Sequence, residues 1–259
     1  MAKRGIIGFK GVTLAPITAD TVLAYTTGAA VALQFAGNMS RTPKENTQDF
    51  YYDDDLYAQI RNNVGEDVEL RVAEVPLAQL ETLGLGSFDE DSQTFEADFS
   101  ISGKYFSTRF VLDTIDGLPF YALYRVFQVT NVRFDNFQTK NNSPAVCEVI
   151  ITGVFKRPQL AGLKPWMMMQ LKEDKSNQDE CNALLSLAEP YAITYNGGAG
   201  TGTMAAATAF AGKKFTLPSN AFTYEAHTFT GWTINGVLMQ PGDTAVFKGP
   251  TTVAATWSE

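Results

Sequence analysis

Alternation of apolar and polar residues dominates the first two thirds of the chain. Phe95, Ala97, Phe99 and Ile101 alternate with Glu96, Asp98, Ser100 and Ser102, the two-residue period of a strand with one buried face. Val68, Leu70 and Val72 alternate in the same way with Glu69, Arg71 and Ala73. Residues 120–134 are rich in aromatic and β-branched side chains, Asn141-Asn142-Ser143-Pro144 supplies turn chemistry, and 145–156 resume the alternation, so these segments predict two long strands and a turn. In the second of them Ala145, Cys147, Val149, Ile151 and Phe155 form a wholly apolar face. Glu148, Thr152 and Lys156 share the other face with Val146, Ile150 and Val154. Further strands are expected at 12–15, 30–35 and 105–112. One helix is expected at 75–83, with Pro76 near its start, Gly84 beyond its end and Leu77, Leu80 and Leu83 against the sheet. The sum is a mainly β chain, a β-sandwich or partial barrel with one short flanking helix.

Two stretches interrupt this pattern. Residues 37–58 show little periodicity and carry Phe50, Tyr51 and Tyr52 beside Asp53, Asp54 and Asp55. They are expected as a long loop reaching for a partner, and aromatics beside charges suit a protein interface. The acidic triplet lacks the alternating ligands and turn glycine of a calcium loop, so no metal is expected there. Between 157 and 190 the alternation fades, and Trp166-Met167-Met168-Met169 is an apolar cluster that needs a surface to cover. Residues 171–187 have weak helical character. The expected division is a β-sandwich domain over 1–170, a linker over 171–189 and a small domain over 190–259.

Charge sharpens this division. All of the net charge of −8 lies before the third segment, which holds three lysines and three acids. An acidic chain does not grip nucleic acid by neutralising phosphates, although DNA can slide past such a wall without sticking. The chain has one histidine, His227, with no relay beside it in sequence, so an enzymatic role is not expected and no catalytic residue is named. The glycine-rich turn at 196–202 lacks the spacing of a nucleotide loop, and no cofactor is implied. Cys147 and Cys181 are expected as free thiols. The first residues lack the apolar run of a signal peptide, so synthesis in the cytoplasm is expected.

Tyr191-Ala-Ile-Thr-Tyr-Asn-Gly-Gly, Leu217-Pro-Ser-Asn-Ala-Phe-Thr, His227-Thr-Phe-Thr-Gly-Trp-Thr-Ile-Asn-Gly and Ala254-Ala-Thr-Trp resemble the internalin-type B repeat, a small β-grasp-like module. The resemblance places Trp232 and Trp257 in that module's core and Pro218 and Gly231 at its turns. Gly8-Phe9-Lys10-Gly11, Phe50-Tyr-Tyr-Asp-Asp-Asp and Phe120-Tyr-Ala-Leu-Tyr-Arg-Val-Phe resemble the major tail protein of long-tailed bacteriophages. That resemblance implies a tail-tube subunit of the virion. Six-membered rings would stack into a tube that conducts DNA during ejection, with tape-measure, terminator and distal tail proteins as further partners. On this reading Phe50, Tyr51, Tyr52, Asp53, Asp54 and Asp55 bind the next ring, and Glu69, Glu96, Asp98 and Glu148 line the lumen as like charges that keep phosphates away. The C-terminal domain would face outward, where aromatics such as Tyr224 or Phe222 could meet host surface glycans. The alternative is a cell-surface adhesion or carbohydrate-binding protein.

Overall fold

A computed structural model describes residues 5–33, 36–52, 55–73, 77–82, 86–97, 104–135 and 148–258 of the 259-residue chain. The chain is mainly β. Its first part is built from β1 (Ile6–Asp20), β2 (Tyr25–Thr27), β3 (Val31–Leu33), β4 (Ala36–Tyr52), β5 (Asp55–Val72), α1 (Leu77–Thr82), β6 (Gly86–Asp89), β7 (Thr94–Ala97), β8 (Lys104–Thr114), β9 (Phe120–Asp135), β10 (Glu148–Lys156) and β11 (Trp166–Gln170). The long strands form one nine-stranded sheet in the order β2-β1-β8-β9-β10-β5-β4, with β3 beside β1 and β11 beside β9. β6 and β7 form a separate small hairpin.

The sheet curls so that the apolar side of each alternating strand faces inward. Val12 and Leu14 of β1, Phe106 and Phe110 of β8, Phe127 and Val129 of β9, Val149, Ile151 and Phe155 of β10, and Val68, Leu70 and Val72 of β5 form one buried cluster, closed by Leu80 of α1. β1 approaches β4, yet no ladder joins them among the described residues. The sheet is therefore a barrel with an open seam. The expected turn at 141–144, Cys147 and Asp98 lie outside the described residues.

Residues 37–52 and 55–58 correct the sequence reading: they lie on strands. β4 and β5 pair along their whole length, from Ala36 opposite Val72 to Tyr52 opposite Asp55. β10 accompanies β5 only from Glu66 to Val72, so the outer part of the hairpin runs past the other strands of the sheet among the described residues. Without a buried side, a strand has no reason to alternate apolar and polar residues.

Residues 171–189, expected as a linker, carry α2 (Gln178–Ser186), which packs on β8 and β9. Asp179 and Glu180 sit in its first turn, where carboxylates favour the helix dipole, and Cys181 and Leu184 are its buried residues. The second part of the chain follows: β12 (Tyr191–Asn196), β13 (Ala207–Ala209), β14 (Lys214–Thr216), β15 (Phe229–Ile234), β16 (Val237–Met239), β17 (Thr244–Val246) and β18 (Thr251–Trp257). Five of these strands form a sheet in the order β13-β12-β18-β15-β16, with β12 and β18 parallel, and β14 pairs with β17. Trp232 is completely buried at the centre of this module among Ile193, Leu217, Phe222, Phe247 and Val253. Its indole nitrogen donates to the Pro218 carbonyl at 2.8 Å, and Trp257, half-buried, donates to the Gly197 carbonyl at 2.9 Å.

Candidate assembly interface

The outer hairpin stands on a root at Gly65. Pairing shifts register between Lys44 and Glu45, opposite this glycine, whose φ is +147°. A Cβ there would lie 2.3 Å from the Phe155 carbonyl oxygen, so only glycine lets β5 leave the sheet this close to the end of β10. From Glu45 opposite Asn63 outward, the two strands pair only with each other among the described residues. The run from Glu45 to Tyr52 on β4 gives an arm of about 25 Å. Two-stranded ribbons are marginal in water unless something packs on them. Phe50, Tyr51, Tyr52 and Asp55 lie on the strands at its far end, while Asp53 and Asp54 lie outside the described residues.

Beside the root, the barrel seam opens into a cleft of about 670 Å³. β1 contributes Ile6 to Phe9, β4 contributes Met39 and Arg41, and β11 contributes Trp166 and Met168. The floor is aromatic: the Tyr124 ring stacks on Phe110, Phe155 and Trp166 at centroid separations of 5.7, 4.2 and 6.2 Å. Arg41 lies over the Tyr124 ring, hydrogen-bonds its hydroxyl and pairs with Glu66 at 3.4 Å. Burial raises the pKa of Tyr124. Ile6, Ile7, Trp166 and Met168 remain exposed at the mouth. The edge of β1 over residues 6–10 and the outer edge of β4 have no strand partner among the described residues.

On the polar face of the sheet, cross-strand register brings together two of the four expected lumen carboxylates. Arg71 contacts Glu69 at 2.8 Å and Glu148 at 3.3 Å, and Arg133 contacts Glu69 at 3.6 Å. Hydrogen bonding to Glu69 is the main cause of the raised pKa of Arg71. Glu69 and Glu148 thus form no like-charge field, because two guanidinium groups balance them. Glu96 lies apart, on the β6–β7 hairpin opposite Ser87. Arg71 and Arg133 escaped the sequence reading because 62 positions separate them in the chain and only the strand register makes them neighbours.

A second network, missed for the same reason, joins the two modules. Arg125 of β9 makes a two-pronged contact with Glu189, both bonds 3.0 Å, and donates to the carbonyls of Lys164 at 2.8 Å and Ala211 at 2.7 Å. Glu189 also accepts from the Ala211 amide at 2.9 Å, and its backbone pairs with Thr27. Both charged side chains are 1% exposed. Around them Val111, Tyr121 and Leu123 of the barrel share a buried cluster with Leu184, Tyr191 and Ala211. Arg109 is buried beside this network, which lowers its pKa. In the C-terminal module Phe222 is a core residue, so it offers nothing to a glycan. Tyr224 is half-buried and stacks on His227 at 4.0 Å. Among the described residues no group of three or more His, Cys, Asp or Glu could hold a metal ion, and no helix is long and apolar enough to cross a membrane.

No family model matches the chain, and no curated protein matches it. Among solved structures, it is similar to a chain in the cryo-EM structure of the anti-feeding prophage (AFP) baseplate, 6-fold symmetrised. The TM-score is 0.35 at 11% identity, covering 65% of this chain and 97% of that one. A likeness this loose carries no argument about the function of the present chain.

Proposed function

We propose that this chain is a structural subunit of a phage-type tail, the tube protein whose six-membered rings stack into a conduit for DNA. The observation that carries the reading is the β4–β5 arm, a ribbon about 25 Å long that pairs with no further strand among the described residues. A lone chain gains little from such an arm, whereas a repeating assembly gains a contact at every copy. The outer edge of β4, which has no strand partner among the described residues, and the short strands at the opposite edge of the sheet supply complementary backbone for joining neighbours within a ring. The Glu69–Arg71–Glu148–Arg133 network suits a wall past which DNA slides, because its arginines already hold carboxylates and offer phosphates little. The C-terminal module, β-grasp-like in its resemblance to the B repeat, then rides on the outside of the particle. No reacting group is asked of the chain, and tape-measure, terminator and distal tail proteins are its partners at the ends of the tube.

Adhesion is the second reading, carried by the half-buried Tyr224 and His227 stack of the C-terminal module, where a surface glycan could pack. The experiment that separates the two is negative-stain microscopy of the purified full chain, beside a variant in which residues 45–62 are replaced by a two-residue turn. Rings or tubes from the parent and single particles from the shortened chain are expected. Single particles from both would overturn the proposal and leave adhesion standing.

A further inference from the structure

Resting on the assembly reading above, we infer that the seam cleft of the barrel is the receptor for the β4–β5 arm of a second copy of this chain. Three observations converge on that occupant. The cleft is bounded by strand edges at β1 and β4 that lack partners among the described residues, so an entering strand finds backbone donors and acceptors on both walls. Apolar and aromatic side chains share its lining with Arg41 and Glu66, and Ile7, Trp166 and Met168 stand 67%, 47% and 45% exposed at the mouth. Large apolar side chains clustered this way mark a surface meant to be covered. The chain itself supplies a segment that suits it: a ribbon that pairs with no further strand among the described residues, with Phe50, Tyr51 and Tyr52 in the sequence at its far end.

The arm cannot serve its own cleft. β4 forms the cleft wall at Met39 and Arg41 and runs outward from there, so the tip lies about 35 Å away along the strand. The occupant must come from another molecule, and the contact is heterologous: one copy gives its arm, keeps its own cleft free, and the next copy fills it. Such a contact propagates instead of closing on itself as a pair.

The test is a mixed cross-link. Full-length protein carrying Met39→Cys is mixed under assembling conditions with protein carrying Tyr51→Cys, and the mixture is oxidised. A disulfide-linked species containing one chain of each kind is expected, well above the level of like-with-like links. Assembly without that mixed species would overturn the cleft as the receptor while sparing the arm as an assembly device. No assembly under any condition would overturn both. Independently, Met168→Glu and Ile7→Glu change exposed side chains and are expected to leave the thermal midpoint of the single chain unaltered. Each should raise the concentration at which half the chains assemble by about tenfold or more, as hot-spot losses do. Unchanged assembly in both variants would contradict the inference.

Discussion

At the scale of single residues, Arg125 and Glu189 set the terms on which the two modules meet. Each is 1% exposed, and the two bonds that join them hold both charges in the interior. Removing one partner strands a charge in the interior, so Glu189→Gln is expected to cost about 3–5 kcal/mol in urea denaturation. Replacing both partners by apolar residues of similar size should cost less than the single change. Tyr191, buried beside the same pair, has its pKa pushed up to about 12, first by burial and then by Glu189. Its neutral form is favoured by folding, so this stabilisation is complete below the unfolded value of about 10. It is lost as pH rises through the folded value. Stability measured between pH 9 and 12 should therefore fall, and Tyr191→Phe should flatten the fall. On the polar face, Glu69→Gln with Glu148→Gln frees Arg71 and Arg133. That double variant should bind duplex DNA at about 50 mM salt, with the binding lost by about 200 mM, whereas no binding is expected of the parent chain. Parent-like behaviour in a fluorescence anisotropy titration would remove the reason for placing this face toward DNA. None of these partnerships shows in the alternation of Val68 to Val72 or of β10, because alternation tells which face a residue is on and not what lies across from it.

At the scale of elements, the arm and its root decide what the molecule can reach. Gly65→Ala would put a methyl group 2.3 Å from the Phe155 carbonyl oxygen at a φ of +147°. A loss of about 1–3 kcal/mol is expected, together with weaker assembly, because the arm must leave the sheet at another angle. The elements were legible in the sequence wherever burial imposes a period. β7, β8, β9 and β10 each overlap an expected strand, and α1 (Leu77–Thr82) falls inside the expected 75–83. The arm was not legible because a ribbon with no core behind it needs no apolar face. α2 was faint for a related reason: of its nine residues only Cys181 and Leu184 are buried, too few for a clear helical stripe. Trp166 to Met169, expected as apolar surface in need of cover, lie on β11. The strand pairing then divides it, turning Met167 and Met169 into the barrel–helix cluster and Trp166 and Met168 toward the seam.

At the scale of the whole molecule, the C-terminal module is held against the barrel by two buried clusters and the Arg125–Glu189 pair. The sequence shows a change of composition near residue 190 and suggests a tether. It could not show that Phe210 meets Tyr25 or that Ala211 bonds to both Arg125 and Glu189. With so much shared interior, the chain should unfold in one calorimetric transition, and two separate transitions would mean that the junction is weaker than its burial implies. A fixed angle between the modules also means that every copy in an assembly presents the second module in the same direction. The measurement that bears most directly on the assembly claim is sedimentation velocity of the purified full chain over a wide concentration range. Growth from single chains into rings or longer particles, abolished when residues 45–62 are removed, is the predicted result; a single monomeric boundary at every concentration would contradict it.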